Sequence, residues 1–125
     1  MATIIIVDDS EAIRTHLRQV LEAAGHKVIE AEDGTQGLAK ILELKTPDLV
    51  ISDYNMPGLD GVAMLTKVKE ALGSGKFPIF MLTTETGEQL KAAGKAVGVN
   101  AWISKPFVPE KIVAGVEKIL SMKKA

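Results

Sequence analysis

Residues 4–9 read Ile4-Ile5-Ile6-Val7-Asp8-Asp9: four β-branched apolar residues that run straight into two acids. Length and β-branching make such a run a strand, and its lack of polar alternation makes it one covered on both faces. The same shape recurs along the chain. Leu49–Ser52 runs into Asp53, Ile79–Leu82 into Thr83-Thr84, and Ala101–Ser104 into Lys105-Pro106, while Val28–Ala31 supplies a further strand. Helix-length segments separate them, so the strands belong to one parallel sheet. Parallel strands point the same way, and open α/β sheets bind ligands along the edge formed by their C-terminal tips. Three carboxylates, a hydroxyl and an ammonium are therefore expected to converge on that edge.

The intervening segments carry helix signals. Ser10 is a good N-cap, with Glu11 at the positive helix end. Ile13, Leu17, Val20, Leu21 and Ala24 then share a face, with Arg14, Arg18 and Glu22 outside, and Gly25 stops the helix. Asp33 and Gln36 have capping-box spacing, and Leu38, Ile41 and Leu42 point inward before Pro47. Asp60 caps a third helix carrying Val62, Leu65, Val68 and Leu72, which Gly73-Ser74-Gly75 ends. The fourth, after Thr86, is weak: Gly87 and Gly94 each cost about 1 kcal/mol against Ala if interior, and only Leu90, Ala93 and Val97 anchor it. The fifth opens on Pro109, buries Ile112, Val113, Val116, Ile119 and Leu120, and places Lys123 and Lys124 at its negative end. Right-handed crossovers with helices on both faces give a doubly wound five-stranded sheet, for which 2-1-3-4-5 is the common order. That order sets Asp8-Asp9 beside Asp53.

Bulk properties narrow the function classes. A chain of 125 residues with 46% apolar and 25% charged residues is expected to be one domain with an adequate core. A net charge of −1 offers no bulk basicity for nucleic acid or membrane surfaces. The lack of cysteine excludes disulfides and thiolate metal sites. The apolar run before Asp8 is too short for a signal peptide or a membrane span. A cytoplasmic monomer is expected.

The converging acids pose an electrostatic problem. At ~5 Å and an effective dielectric of about 20, each ionised pair repels by roughly 3 kcal/mol. Either one carboxyl holds a proton or a cation sits among them. An all-oxygen donor set favours Mg²⁺ or Mn²⁺. With Lys105 opposite the acids and Thr83 as a rotatable donor, the edge is a socket for a phosphoryl group, and a carboxylate could serve as nucleophile. Other signals carry less. Gly73-Ser74-Gly75-Lys76 lacks the P-loop spacing and precedes a strand, and His16 and His26 read as surface residues without a ligand partner.

Val7-Asp8-Asp9-Ser10, the run Ser52-Asp53-Tyr54-Asn55-Met56-Pro57-Gly58-Leu59-Asp60-Gly61, Thr83-Thr84 and Lys105-Pro106-Phe107 together resemble the receiver domain of two-component response regulators. The likeness covers essentially the whole chain. Gly94–Gly98 and Ala101–Phe107 look most like stand-alone chemotaxis regulators of the CheY type, whose fold is the flavodoxin-like (βα)5 arrangement. The resemblance implies a role for each position. Asp53 matches the phosphoacceptor. Asp9, Asp53 and the Asn55 carbonyl match Mg²⁺ ligands, with Asp8 acting through water. Lys105 matches the lysine on the phosphoryl oxygens, and Thr83 the switch hydroxyl. Trp102 stands where the family usually has a mobile Tyr or Phe. Asn55 and Glu85 match positions that tune phosphoryl lifetime, and Lys105-Pro106 matches a cis peptide. A CheA-like histidine kinase is the implied donor. The implied target is a flagellar motor switch protein or another partner on the face of the fourth helix, fifth strand and fifth helix, where Lys91, Lys95 and Lys118 add positive charge. Nucleic-acid binding and an attached output domain are not expected.

Three other readings are open on the sequence. One is a phosphorelay intermediate or a receiver excised from a longer protein. Another is a Mg²⁺-dependent aspartyl phosphohydrolase of the haloacid-dehalogenase type, but Asn55 stands where such enzymes place a general acid. A flavodoxin-like cofactor binder shares the topology, and the acidic edge argues against it.

Overall fold

The computed structural model describes residues 2–73, 75–85 and 87–124, and of 123 and 124 the backbone alone. Met1, Ser74, Thr86 and the end contacts expected of the Lys123 and Lys124 side chains lie outside the described residues. The elements alternate: β1 (Thr3–Val7), α1 (Glu11–Ala23), β2 (Lys27–Ala31), α2 (Gly34–Leu44), β3 (Leu49–Ser52), α3 (Gly61–Leu72), β4 (Ile79–Thr83), α4 (Glu88–Ala96), β5 (Ala101–Ser104) and α5 (Pro109–Lys124). All strand pairings are parallel, in the order β2-β1-β3-β4-β5.

Strand periodicity divides the core into two layers. Ile4, Ile6, Leu49, Ile51, Phe80 and Leu82 face Leu17 and Leu21 of α1 and Ile112, Val116 and Leu120 of α5. Ile5, Val7, Val50, Ile79 and Met81 face Ile41 of α2 and Met64, Leu65 and Val68 of α3. Close approach of the second pair of helices requires glycine. A Cβ on Gly37 would lie 2.7 Å from Met64 Sδ and 2.8 Å from both Val7 methyls.

Several local expectations need correction. Ala24 is the C-cap of α1 and exposed, not part of its buried face. Arg14 is not outside: its side chain is 11% exposed, folded against β2. His26 is no surface residue but 8% exposed. Its Nδ1 accepts the Ala2 N–H (3.2 Å) and its Nε2 meets Glu117 Oε1 (2.8 Å), so it ties the start of β1 to α5. Asp33 caps α2 through the Gln36 N–H (2.8 Å), but Gln36 Oε1 returns to the Glu32 N–H (3.2 Å) instead of closing a reciprocal box on Asp33. On α4 the inward positions are Leu90 and Gly94, with Val97 half-buried at its C-cap, while Ala93 is exposed. Gly87 caps that helix with no side-chain hydrogen bond. Its C-terminal end is held instead by Lys69 of α3, whose Nζ donates to the Ala96 carbonyl (3.1 Å).

Candidate functional site

Asp8 and Asp9 follow β1, Asp53 follows β3, Thr83 ends β4 and Lys105 follows β5. Val7 pairs with Ser52 across β1 and β3, so the acids beyond those residues meet. One carboxylate oxygen from each of Asp8, Asp9 and Asp53 lies within 4.8 Å of the others. Thr83 pairs with Ser104, which sets the hydroxyl and the lysine on adjacent strand ends.

Burial makes the acids unequal. The Asp8 side chain is 2% exposed and that of Asp53 8%, whereas Asp9 is exposed. Asp8 Oδ1 accepts the Ser10 N–H (2.9 Å), and Asp53 Oδ1 accepts the Tyr54 N–H (2.7 Å). The Lys105 ammonium bridges the remaining oxygens, 2.9 Å from Asp8 Oδ2 and 2.8 Å from Asp53 Oδ2. The Lys105–Pro106 peptide behind it is cis.

Burial raises the Asp8 carboxyl above the usual range. The Lys105 and Ser10 hydrogen bonds offset only part of that desolvation, and Asp53 adds repulsion. Burial alone would lower Lys105, but its hydrogen bonds to Asp53 and Asp8 outweigh it and hold the ammonium above the ordinary lysine value. One ammonium against three carboxylates leaves negative charge uncompensated if all three ionise. The oxygen-only donor set fits a hard divalent cation.

A second set of bonds joins Thr83 to the surface. Thr83 is fully buried, and its Oγ1 accepts the Glu85 N–H (3.3 Å). The Glu85 carboxylate accepts Asn55 Nδ2 (2.7 Å), linking the loops after β3 and β4. The Glu85 carbonyl accepts Trp102 Nε1–H (2.8 Å). Trp102 is half-buried against the α2–α3 core layer, and a Cβ on Gly94 would lie 2.7 Å from its Cζ3. Gly94 is therefore the notch that admits the indole. Gly94→Ala is expected to displace the ring and shift the emission of this single tryptophan to the red. It should also forfeit the gain of about 1 kcal/mol that Ala brings to an open helix position. Unchanged emission would show that the notch is not filled in solution.

Asp8, Asp9, Asp53, Asn55, Thr83, Glu85, Lys105 and Pro106 thus lie at or just beyond the strand ends, where the Lys105 N–H donates to the Thr83 carbonyl (3.1 Å), while Trp102 sits further back on β5, opposite Met81, and reaches the group through the Glu85 carbonyl. Sequence reasoning missed Arg14, which donates to the Asp8 carbonyl (2.7 Å). No spacing in the sequence marks that bond, because it runs to a main-chain carbonyl and depends on Glu30, 16 residues away on β2.

Residues 4–117 match the sequence profile of the response regulator receiver domain. The chain is 38% identical over 118 residues to the phosphate regulon transcriptional regulatory protein PhoB of Pseudomonas aeruginosa, covering 94% of this chain and 51% of PhoB. It spans about half the length of that relative and of similar Bacillus subtilis regulators. It is 32% identical over 118 residues to the chemotaxis protein CheY1 of Helicobacter pylori, covering 94% of this chain and 95% of CheY1. Among solved structures, Vibrio cholerae CheY4 superposes with a TM-score of 0.86 at 39% identity, covering 95% of this chain and 98% of that one.

Proposed function

The chain belongs to the response regulator receiver domain family, and on that premise we propose that it accepts a phosphoryl group from a histidine kinase on Asp53 and thereby changes its affinity for a downstream partner. It is a receiver-domain signalling protein and not a turnover enzyme. The observation that carries the phosphoacceptor reading is the acid triad with Lys105 Nζ bridging Asp8 and Asp53.

In the proposed reaction an Asp53 oxygen attacks the phosphorus of a phosphohistidine. The P–N bond breaks, and its electron pair stays on the imidazole, which takes up a proton. Positioning and charge neutralisation carry most of such a transfer. The Tyr54 N–H holds one Asp53 oxygen, while Lys105 can pass from the other to a phosphoryl oxygen. Asp9, Asp53, the Asn55 carbonyl and, through water, Asp8 would hold Mg²⁺, which supplies positive charge opposite the phosphoryl oxygens. Asn55 and Glu85, bonded across the loops, govern how water reaches the acyl phosphate.

Thr83 carries the switch. Its hydroxyl proton is free to be donated to a phosphoryl oxygen. Movement toward that oxygen pulls on the Glu85 N–H, and the Glu85 carbonyl passes the displacement to Trp102. The partner surface is then α4, β5 and α5, where Lys91, Lys95 and Lys118 are exposed.

Chemotaxis, with a CheA-type donor and a flagellar motor switch target, is supported by the near end-to-end likeness to CheY1 and CheY4. The likeness to PhoB, about twice as long, favours a second reading as the receiver portion of a transcriptional regulator. No helix among the described residues is long and apolar enough to cross a membrane, and the proposed setting is the cytoplasm. Binding to a motor switch protein, measured with and without Mg²⁺ and a phosphoryl mimic, tests the chemotaxis reading. Tighter binding with the mimic is expected, and equal affinity in both states would rule that partner out as a phospho-switched target.

A further inference from the structure

Asp9 is the exposed member of the triad, and among the described residues its carboxylate takes part in no hydrogen bond or ion pair. Its placement depends on the backbone that carries it. That backbone is pinned through Asp8. The Asp8 N–H donates to the Ala31 carbonyl (3.1 Å), and its side chain is held by Ser10 and Lys105. The Asp8 carbonyl accepts an N–H of Arg14 (2.7 Å). A peptide unit is planar, so fixing the Asp8 carbonyl fixes the plane from which Asp9 departs.

Arg14 is itself locked. Its Nε donates to Glu30 Oε1 (3.1 Å) on β2, and the other Glu30 oxygen is taken by Arg18. Glu30 pairs with Ile6 of β1, so the clamp spans α1, β2 and the loop that carries the acids. One guanidinium reaches the carbonyl and the carboxylate from two separate nitrogens, which the single nitrogen of a lysine cannot reproduce.

We propose that Arg14, locked by Glu30, is a positioning residue for the metal site: it orients the Asp8–Asp9 peptide so that Asp9 is set to ligate a divalent cation. The inference rests on the reading of Asp8, Asp9 and Asp53 as the Mg²⁺ site. A positive charge near a cation site opposes binding, so loss of the guanidinium acting only as a charge would tighten Mg²⁺ binding. Loss of a positioning group weakens it.

Calorimetric titration of MgCl₂ into the unphosphorylated chain separates the two, with circular dichroism confirming that each variant is folded. Arg14→Lys keeps the charge and loses the fork, and Arg14→Met loses both. Positioning predicts Mg²⁺ binding about tenfold weaker in Arg14→Lys, the lower end of the range for removing a supporting partner of a metal site, and a smaller loss in Arg14→Met, where removal of the opposing charge offsets part of it. Should Arg14→Met not fold, Arg14→Lys decides alone. Unchanged affinity in Arg14→Lys, or tighter binding in folded Arg14→Met, overturns the proposal while leaving the metal reading intact. A wild-type chain that takes up no Mg²⁺ overturns the metal reading and the proposal with it.

Discussion

Asp53→Asn is expected to take up no phosphoryl group from either a kinase or a small phosphoramidate donor, under conditions that label the wild type. A neutral amide is a poor nucleophile, and it removes one of the two carboxylates on Lys105. The fold should survive. The Asn oxygen can still accept the Tyr54 N–H, and replacement removes repulsion from Asp8 and Asp9 at the same time as it removes the ion pair. A folded variant with no label assigns the loss to chemistry. Wild-type levels of label on the variant would displace the acceptor from this residue.

Gly61→Ala is expected to destabilise the domain by about 1–3 kcal/mol, the usual range for forcing a methyl into packed structure. At an open helix position the same change would stabilise by about 1 kcal/mol, so the sign is diagnostic. Gly61 opens α3, and its N–H donates to the Tyr54 carbonyl (2.9 Å). A Cβ there would lie 2.4 Å from the Asp53 carbonyl oxygen and 3.1 Å from Tyr54 Cα. Those neighbours are backbone and cannot rotate away. Either α3 or the Asp53 segment must shift, so slower phosphoryl uptake should accompany the lower urea midpoint. A more stable Gly61→Ala would mean that α3 does not approach Asp53 this closely.

These glycines mark the boundary of what was legible in the sequence. Strands, their order and the convergence of Asp8, Asp9, Asp53, Thr83 and Lys105 follow from short apolar runs that end on reactive residues. One rule of parallel sheets places all their tips on one edge. Contacts between elements were not legible, because partners far apart in sequence meet only through packing. Gly94 read as a weakness in α4, and the structure makes it the notch for Trp102. Arg14 and His26 read as surface residues, yet Glu30 and the Asp8 carbonyl enclose the first, and Ala2 and Glu117 the second. The Asn55–Glu85 bond joins two positions singled out separately, across 30 residues of chain. In each case residue type was visible and the partner was not.

Phosphorylation at Asp53 can be read directly by mapping the modified residue. The wild-type chain is phosphorylated in Mg²⁺, reduced with borohydride, which converts an aspartyl phosphate to homoserine, and digested for mass spectrometry. That mass change is expected at position 53 and nowhere else. A change at Asp8 or Asp9, or a phosphate that survives hydroxylamine as a serine or threonine ester would, contradicts it.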